Sequence, residues 1–277
     1  KISYYKTMIN MFNRALLIPC LMIPMAATAQ VCLVSKGKQQ GRIVLVEDND
    51  VNRKAATLLQ RFVRETSGGE LKIIATTKRA KNDVVIGEKT MEATDDGYVI
   101  DCSNGTLAIK SAGGKGAIYG VATLLEKFVG VDYLAKDFYT LTPSADIRIP
   151  KMHVAESPAF RFRQTFSYSN NDNTYRDWMR LHDHSEVFAN DMWVHTFDRL
   201  LPSSVYGKAH PEYYSFISGE RRPGNHSQWC LSNPEIFEIV ANRIDSIFKA
   251  NPGRNTISVS QNDGNDTYCQ CPECKKV

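Results

Sequence analysis

The sequence lacks an excess of charge of either sign. Its 277 residues include 34 lysines and arginines against 30 aspartates and glutamates. Three of the basic residues, Lys1, Lys6 and Arg14, precede the predicted mature start, so the rest of the chain is almost neutral. Nucleic-acid binding requires a clustered basic surface. We therefore expect no nucleic-acid partner.

An apolar run long enough to cross a bilayer is also missing. The run Ala15–Met25 is interrupted by Pro19 and Pro24, whereas a membrane-spanning helix needs about 20 apolar residues. A basic start precedes this run, and Ala27-Thr28-Ala29 follows it as an A-x-A cleavage site. Residues 1–30 are therefore predicted to be an export signal, with a membrane anchor as the alternative. The mature protein is predicted to be secreted or periplasmic, with no stable membrane span.

The glycine-rich stretch near residue 115 does not end like a nucleotide-binding loop. Such a loop ends in Gly-Lys-Ser/Thr, but here Lys115 is followed by Gly116 and Ala117. We interpret the stretch as a tight turn from a strand into an amphipathic helix running from Ala117 to Val129. No organic cofactor is predicted.

Residues 40–150 have the pattern of a small α/β domain, preceded by a polar lead-in over residues 31–40. Apolar residues at helical spacing predict a helix from Asn52 to Thr66, capped by Asp50 and ended by Gly68. An Asn-Gly pair at residues 104–105 predicts a hairpin. The predicted strands are Arg42–Val46, Leu71–Ala75, Val84–Gly87, Gly97–Asp101, Thr106–Lys110, Val131–Ala135 and Asp146–Ile149.

Residues 155–277 alternate short apolar runs with polar clusters, as parallel α/β barrels do. The predicted barrel strands are Phe160–Phe166, Met192–Val194, Gln228–Leu231 and Thr256–Ser260. One helix is predicted to begin at Asn173 or Thr174. A second helix, with Pro234 in its first turn, is predicted to run to about Lys249. A complete barrel needs about 250 residues. The predicted fold is therefore α/β, with a small α+β N-terminal domain followed by the first half of a (β/α)8 barrel, which would be truncated.

Polar residues at the ends of these strands are the candidate site. Asp263 follows the fourth strand and is the candidate catalytic acid, although Asn-Asp-Gly is also an ordinary turn sequence. The candidate substrate-binding residues are Arg163, His195, His210, Glu212, Trp229 and Asn262. Rings and carboxylates together suit a pyranose, which has an apolar face and polar edges. Arg163 could instead pair with an internal acid, and Trp229 could instead lie in the core. His210 and Glu212 could instead belong to a loop that covers the barrel mouth.

Cysteine is the other informative residue type. Removal of Cys20 with the signal leaves six cysteines, which in an exported protein form disulfides or pack as thiols. Cys269, Cys271 and Cys274 are too closely spaced for easy pairing. They could instead supply three ligands of a structural zinc ion, with Cys230 or His226 as the fourth.

Two stretches resemble known families. Residues 97–134, GYVIDCSNGTLAIKSAGGKGAIYGVATLLEKFVGVDYL, resemble the small α/β domain that precedes the catalytic barrel in family 20 hexosaminidases and family 67 α-glucuronidases. From PAFRFR at residue 158 through HPEYY, GERR, WCLSNPE, SVSQNDG and CQCPEC, the chain is similar to exported bacterial proteins of the DUF4838 type, which are regarded as glycoside-hydrolase-like. Together the resemblances cover about residues 42 to 277.

The resemblances imply an exported carbohydrate-active protein, a glycoside hydrolase acting on O-glycosidic bonds of a glycan. The alternatives are a glycan-binding protein without turnover on a barrel scaffold, and a metal-stabilised interaction module. Family 20 enzymes place an adjacent Asp-Glu pair at the end of the fourth strand, but here Gly264 follows Asp263. We therefore expect the second carboxylate of a hydrolase to lie beyond Val277.

Overall fold

A computed structural model describes residues 29–224, 226–264 and 267–276. Most of the predicted export signal, residues 1–28, lies outside the described residues. Within the described ranges, no helix combines the length and the apolarity needed to cross a bilayer.

The N-terminal region, residues 29–156, contains eleven strands and two helices. The strands are β1 (Ala29–Ser35), β2 (Lys38–Gln39), β3 (Ile43–Leu45), β4 (Ile73–Ala75), β5 (Val84–Lys89), β6 (Tyr98–Ser103), β7 (Thr106–Ser111), β8 (Val131–Ala135), β9 (Phe138–Leu141), β10 (Ile147–Pro150) and β11 (Met152–Glu156). The helices are α1 (Asp50–Ser67) and α2 (Gly116–Leu124), and α2 continues as a π-helical turn to Val129.

A six-stranded sheet in the order β11-β6-β7-β5-β3-β4 forms the centre of this region. Strands β4, β3, β5 and β7 pair in parallel, while β6 and β11 pair antiparallel at the other edge. Helices α1 and α2 supply fully buried side chains such as Leu59, Phe62 and Val121 to one continuous core. A second sheet, β10-β1-β2, and the β8-β9 hairpin complete the region.

Most predicted elements of the N-terminal region are confirmed, with differences at the ends. Asn104 and Gly105 have φ values of 49° and 77°, as a tight hairpin turn requires. Helix α1 ends at Gly68 in the left-handed conformation, but its cap is Asn49, whose side chain accepts a hydrogen bond from Asn52 N. The predicted polar lead-in forms strand β1 instead, because β1 pairs with β10.

The C-terminal region, residues 157–276, is built mainly from short helices and irregular segments. Its helices are α3 (Asn173–Trp178), α4 (Phe197–Leu200), α5 (Ser203–Tyr206) and α6 (Glu235–Ala250), and its strands are β12 (Phe216–Ile217) and β13 (Glu220–Arg221). Helix α6 packs Ile236, Val240 and Ile247 into a second core. Helix α3 instead contributes Trp178 to the N-terminal core.

The predicted half-barrel is not confirmed by the residues described. Residues 160–166, 192–194 and 228–231 form no strand there, although Trp229 makes one isolated bridge to Tyr214. Positive φ values at Asn190, Asp191 and His195 interrupt the extended backbone that a strand needs. Arg163 pairs its carbonyl with His182 N rather than with a neighbouring strand.

Candidate functional site

Two irregular segments, residues 189–196 and 256–260, run side by side in the same direction. The residues that follow them therefore lie close together. Ala189 N donates to Thr256 O at 2.8 Å, Ser258 N donates to Met192 O at 2.8 Å, and Thr196 N donates to Ser260 O at 3.0 Å. The parallel arrangement expected for residues 192–194 and 256–260 is therefore present, but without regular strands. His195 lies near the end of the first segment and Asn262 follows the second, so both lie at the same end.

His195 is joined directly to the end of the second segment. Its Nδ1–H donates to the carbonyl oxygen of Gln261 at 3.0 Å, while the side chain is exposed. Its φ of 51° turns the chain sharply at this point. His195 and residues 261–263 therefore lie side by side and are called the rim below. Asp263 itself is exposed.

Asn262 is buried, and its polar groups are used inside the protein. Its backbone N–H donates to Gln228 Oε1 at 2.9 Å and its Nδ2 donates to Ser227 O at 2.6 Å. Its Oδ1 accepts from Asp198 N at 3.3 Å. The predicted substrate contact of Asn262 would have to compete with these bonds, so its observed role is to hold the rim together.

A cleft of about 500 Å³ opens beside this rim. It is lined by Phe197, Gln228, Trp229, Leu231, Ser232, Gln261, Tyr268, Cys269 and Cys274. Trp229 is 5% exposed and stacks on Phe197 with ring centroids 3.8 Å apart. Its indole nitrogen is buried and has no hydrogen-bond partner among the described residues. Gln261 connects the cleft to His195.

Of these lining residues, sequence reasoning selected Trp229 as a substrate contact and missed Phe197, Gln228, Gln261 and Tyr268. Phe197 lies in the short helix α4 directly after His195. Tyr268 adjoins the cysteine motif and is exposed. A search for aromatic residues near predicted strand ends would have found Phe197, whereas Tyr268 is marked only by its place beside Cys269.

His210 and Glu212 form a separate cluster and do not line the cleft as the structure describes it. His210 Nδ1 lies 3.0 Å from Glu212 Oε1, and its ring stacks on Tyr213 at 4.6 Å. A hydrogen bond from its own backbone N–H, together with His210, lowers the pKa of Glu212. Glu235 lies close to both, and Tyr213 donates to it at 3.0 Å.

Arg163 is paired with an internal acid. Its Nη2 donates to Asp96 Oδ2 at 2.7 Å and its Nε donates to Arg180 O at 2.6 Å. Asp96 also accepts from His182 Nε2 at 2.9 Å and from Lys115 N at 3.0 Å. Burial raises the pKa of Asp96, but these hydrogen bonds outweigh burial and hold that pKa well below its usual range. Of the two alternatives for Arg163, the structure therefore places it with an internal acid, at the contact between the two regions.

The four cysteines of the C-terminal region lie together. The sulfurs of Cys230, Cys269, Cys271 and Cys274 are all within 4.8 Å of one another, and all four are free thiols. Burial raises the pKa of Cys269 to about 12. Burial also acts to raise that of Cys271, but hydrogen bonds led by Ser232 lower it to about 6. His226, the other predicted fourth ligand, is exposed.

Comparisons with known structures find glycoside hydrolases at low similarity. A mutant Streptomyces plicatus beta-hexosaminidase in complex with its product GlcNAc is 18% identical, with a TM-score of 0.36, over 48% of this chain and 24% of that chain. A family 20 exo beta-N-acetylglucosaminidase from Vibrio harveyi is 16% identical, with a TM-score of 0.33, over 45% of this chain and 17% of that one. Flavobacterium johnsoniae chitobiase is 16% identical, with a TM-score of 0.31, over 50% and 21% of the two chains.

The chain spans about a quarter or less of the length of these structures. No curated protein matches the sequence.

Two family models do match. Residues 33–165 match domain 2 of glycosyl hydrolase family 20, and residues 133–277, just over half of the chain, match the domain of unknown function DUF4838. The chain therefore belongs to the DUF4838 family, and its N-terminal region is similar to the second domain of family 20 glycosyl hydrolases.

Proposed function

We propose that this protein is carbohydrate-active and binds a glycan in the cleft beside His195 and Asp263. The observation that carries the proposal is the composition of the cleft wall. The exposed ring of Tyr268 and the exposed amide of Gln261 lie there beside the buried, stacked rings of Phe197 and Trp229. A pyranose presents an apolar face to rings and hydroxyl groups to amides, so this combination suits a sugar.

The match of residues 33–165 to domain 2 of glycosyl hydrolase family 20 supports the proposal. That domain belongs to enzymes that act on glycosidic bonds. We further propose that the protein is exported, on the basis of the basic start, the apolar run and the A-x-A site in its first thirty residues.

In this proposal the exposed residues at the rim contact the sugar and the buried ones shape the cleft. Tyr268 is 63% exposed and supplies an aromatic ring. His195 Nδ1 is engaged by Gln261, which leaves Nε2 to contact a hydroxyl. Trp229 and Phe197 form the buried stacked pair behind them.

The extension to hydrolysis rests on Asp263. Glycoside hydrolysis needs a carboxyl group that protonates the leaving oxygen and a second group that meets the developing cation. Asp263 is exposed at the rim, where it could serve as one of the two. The rival proposal keeps the cleft as a glycan-binding site without turnover.

Glycan binding is tested with the substitution Tyr268→Ala against the matched control Tyr168→Ala. Both tyrosines are largely exposed, so neither change should unfold the protein. In a glycan array followed by calorimetry, we expect Tyr268→Ala to weaken binding about fivefold, because stacking on one ring contributes about 1 kcal/mol. Equal affinity of the two variants would contradict the proposed cleft.

Hydrolysis is tested with the complete gene product and pools of oligosaccharides. We expect the wild-type protein to release product and Asp263→Asn to lose activity by about a thousandfold while binding is retained. Binding by the wild-type protein without product release would favour the non-catalytic alternative.

A further inference from the structure

The four cysteine sulfurs have the spacing of a metal site rather than that of disulfides. Cys230 Sγ lies 3.7 Å from Cys271 Sγ and 3.9 Å from Cys274 Sγ. A disulfide needs sulfurs about 2.05 Å apart. Four thiolates bound tetrahedrally to zinc at about 2.3 Å lie about 3.8 Å from one another. These two distances match the edge of such a tetrahedron, and all four sulfurs lie within 4.8 Å of one another.

The cysteines are brought together by two separate parts of the chain. Cys269, Cys271 and Cys274 lie on one short turn, and Cys230 comes from the segment that follows Trp229. Three of the four are buried, at 3%, 9% and 5% exposure for Cys230, Cys269 and Cys271. Together they form a small cluster of their own, packed against Phe216. This cluster has little apolar surface to bury, so it needs another source of stability.

The surrounding groups are those that stabilise metal-bound thiolates. Phe216 N–H donates to Cys269 Sγ at 3.3 Å, and Cys274 N–H donates to Cys271 Sγ at 3.4 Å. Arg221 Nη1 lies 3.7 Å from Cys269 Sγ. Four thiolates around a divalent cation carry two negative charges, which N–H groups and a guanidinium offset.

We propose that Cys230, Cys269, Cys271 and Cys274 bind one Zn²⁺ ion as a closed structural site. On binding, each cysteine that is still a thiol releases its proton to solvent, and four Zn–S bonds form with no change of oxidation state. Four protein ligands leave no open position for water or substrate, so the ion is structural rather than catalytic. The inference does not rest on the proposed glycan binding.

The site also shapes one wall of the cleft. Cys269 and Cys274 line that cleft directly, and Trp229 and Tyr268 are the chain neighbours of Cys230 and Cys269. A bound ion would fix the distance between these two aromatic residues. Metal loss would therefore disorder the cleft wall that these residues form.

The first test is the metal content of the full chain, purified without added metal, by plasma mass spectrometry. We expect one zinc per chain. Cys230→Ser should release its zinc to a chelator at least about tenfold faster, while Cys32→Ser, which changes a free cysteine of the N-terminal region, should retain it. Zinc retention unchanged by Cys230→Ser would overturn the proposal.

A second measurement keeps the test decisive if Cys230→Ser does not fold. The wild-type protein is refolded with Co²⁺, and its visible spectrum is expected to show the bands of tetrahedral thiolate coordination. A folded, metal-free wild-type protein whose cysteines resist alkylation until a reductant is added would show disulfides and overturn the proposal. Neither measurement involves a glycan, so failure here is distinguishable from failure of the proposed function.

Discussion

The N-terminal and C-terminal regions are stabilised in different ways. The N-terminal region buries a large continuous core between a six-stranded sheet and two helices. The C-terminal region has a smaller core, a cluster of four cysteines, and backbone segments joined by side-chain amides such as those of Gln228 and Asn262. Buried apolar area stabilises the first region, whereas specific polar and thiol contacts hold the second. The regions should therefore respond to different perturbations.

Metal removal should produce the largest contrast. Structural zinc contributes about 10–16 kcal/mol in small zinc-binding peptides, and the cysteine cluster lies entirely in the C-terminal region. We expect a thiol-reactive reagent with a chelator to abolish amide-exchange protection around residues 214–217 and 228–231, while β5 and β7 stay protected. Hydrogen exchange read by mass spectrometry measures this. Equal loss of amide-exchange protection in both regions would show that the two regions are not stabilised in different ways.

Phe62→Ala should have the reverse effect. Phe62 is fully buried and packs edge-on against Tyr139 and Trp178, with centroids 5.2 and 5.5 Å away. Truncation of a buried phenylalanine costs about 3–5 kcal/mol. We expect the free energy of unfolding to fall by about 4 kcal/mol in chemical denaturation, with zinc retained. Phe237→Ala, at a 56% exposed position, is the control and should change little.

Asp96→Asn should loosen the contact between the regions. Asp96 is paired with Arg163 and His182 of the C-terminal region, and removal of one partner of a buried ion pair costs about 3 kcal/mol. The control is Asp95→Asn, because its carboxylate is 61% exposed and its ion pair among the described residues is with the exposed Arg161. A difference below about 1 kcal/mol between these variants would contradict the role assigned to Asp96.

The contribution of Asp96 should also depend on pH. Because the pKa of Asp96 is lowered in the folded protein, its stabilisation is fully present above the pKa of an unfolded aspartate, about 3.9, and is lost as pH falls further. We expect the unfolding free energies of wild type and Asp96→Asn to converge as pH falls from about 5 toward the acid limit. A constant difference between the two unfolding free energies over that range would show that the charge of Asp96 does not stabilise the folded protein.

The smallest effect concerns the start of helix α1. Asn49 accepts a hydrogen bond from Asn52 N at 2.9 Å, so Asn49→Ala should cost about 1 kcal/mol. Asp50→Ala, at the position that the sequence pattern favoured as the cap, should cost about 0.5 kcal/mol through the helix dipole alone. Thermal unfolding followed by circular dichroism separates the two. A larger loss of stability for Asp50→Ala than for Asn49→Ala would indicate that Asp50 is the cap.

The same contrast explains what the sequence could predict. Helix α1 and the β6-β7 hairpin have apolar periodicity and an Asn-Gly turn, which are local patterns that burial reinforces. Residues 192–194 and 256–260 are also apolar and do run in parallel, but positive φ at Asn190 and His195 prevents a regular strand. Local periodicity contains no information on such turns.

The candidate site was predictable in part for a similar reason. The rim shared by His195 and the segment before Asp263 follows from chain direction alone. The burial of Asn262 and the pairing of Arg163 with Asp96 depend on partners distant in the sequence. Cys269, Cys271 and Cys274 were recognisable from their spacing, whereas the choice of Cys230 over His226 required the folded chain.

The position of Trp178 has a practical consequence for dissecting proteins of this family. Trp178 belongs to the C-terminal region by sequence but is 1% exposed within the N-terminal core, and β11 extends the central sheet to Glu156. A fragment ended at residue 150 would lose an edge strand and leave an aromatic-sized gap beside Phe62 and Tyr133. Expression of the first region as an independent fragment should therefore extend through helix α3 to Met179.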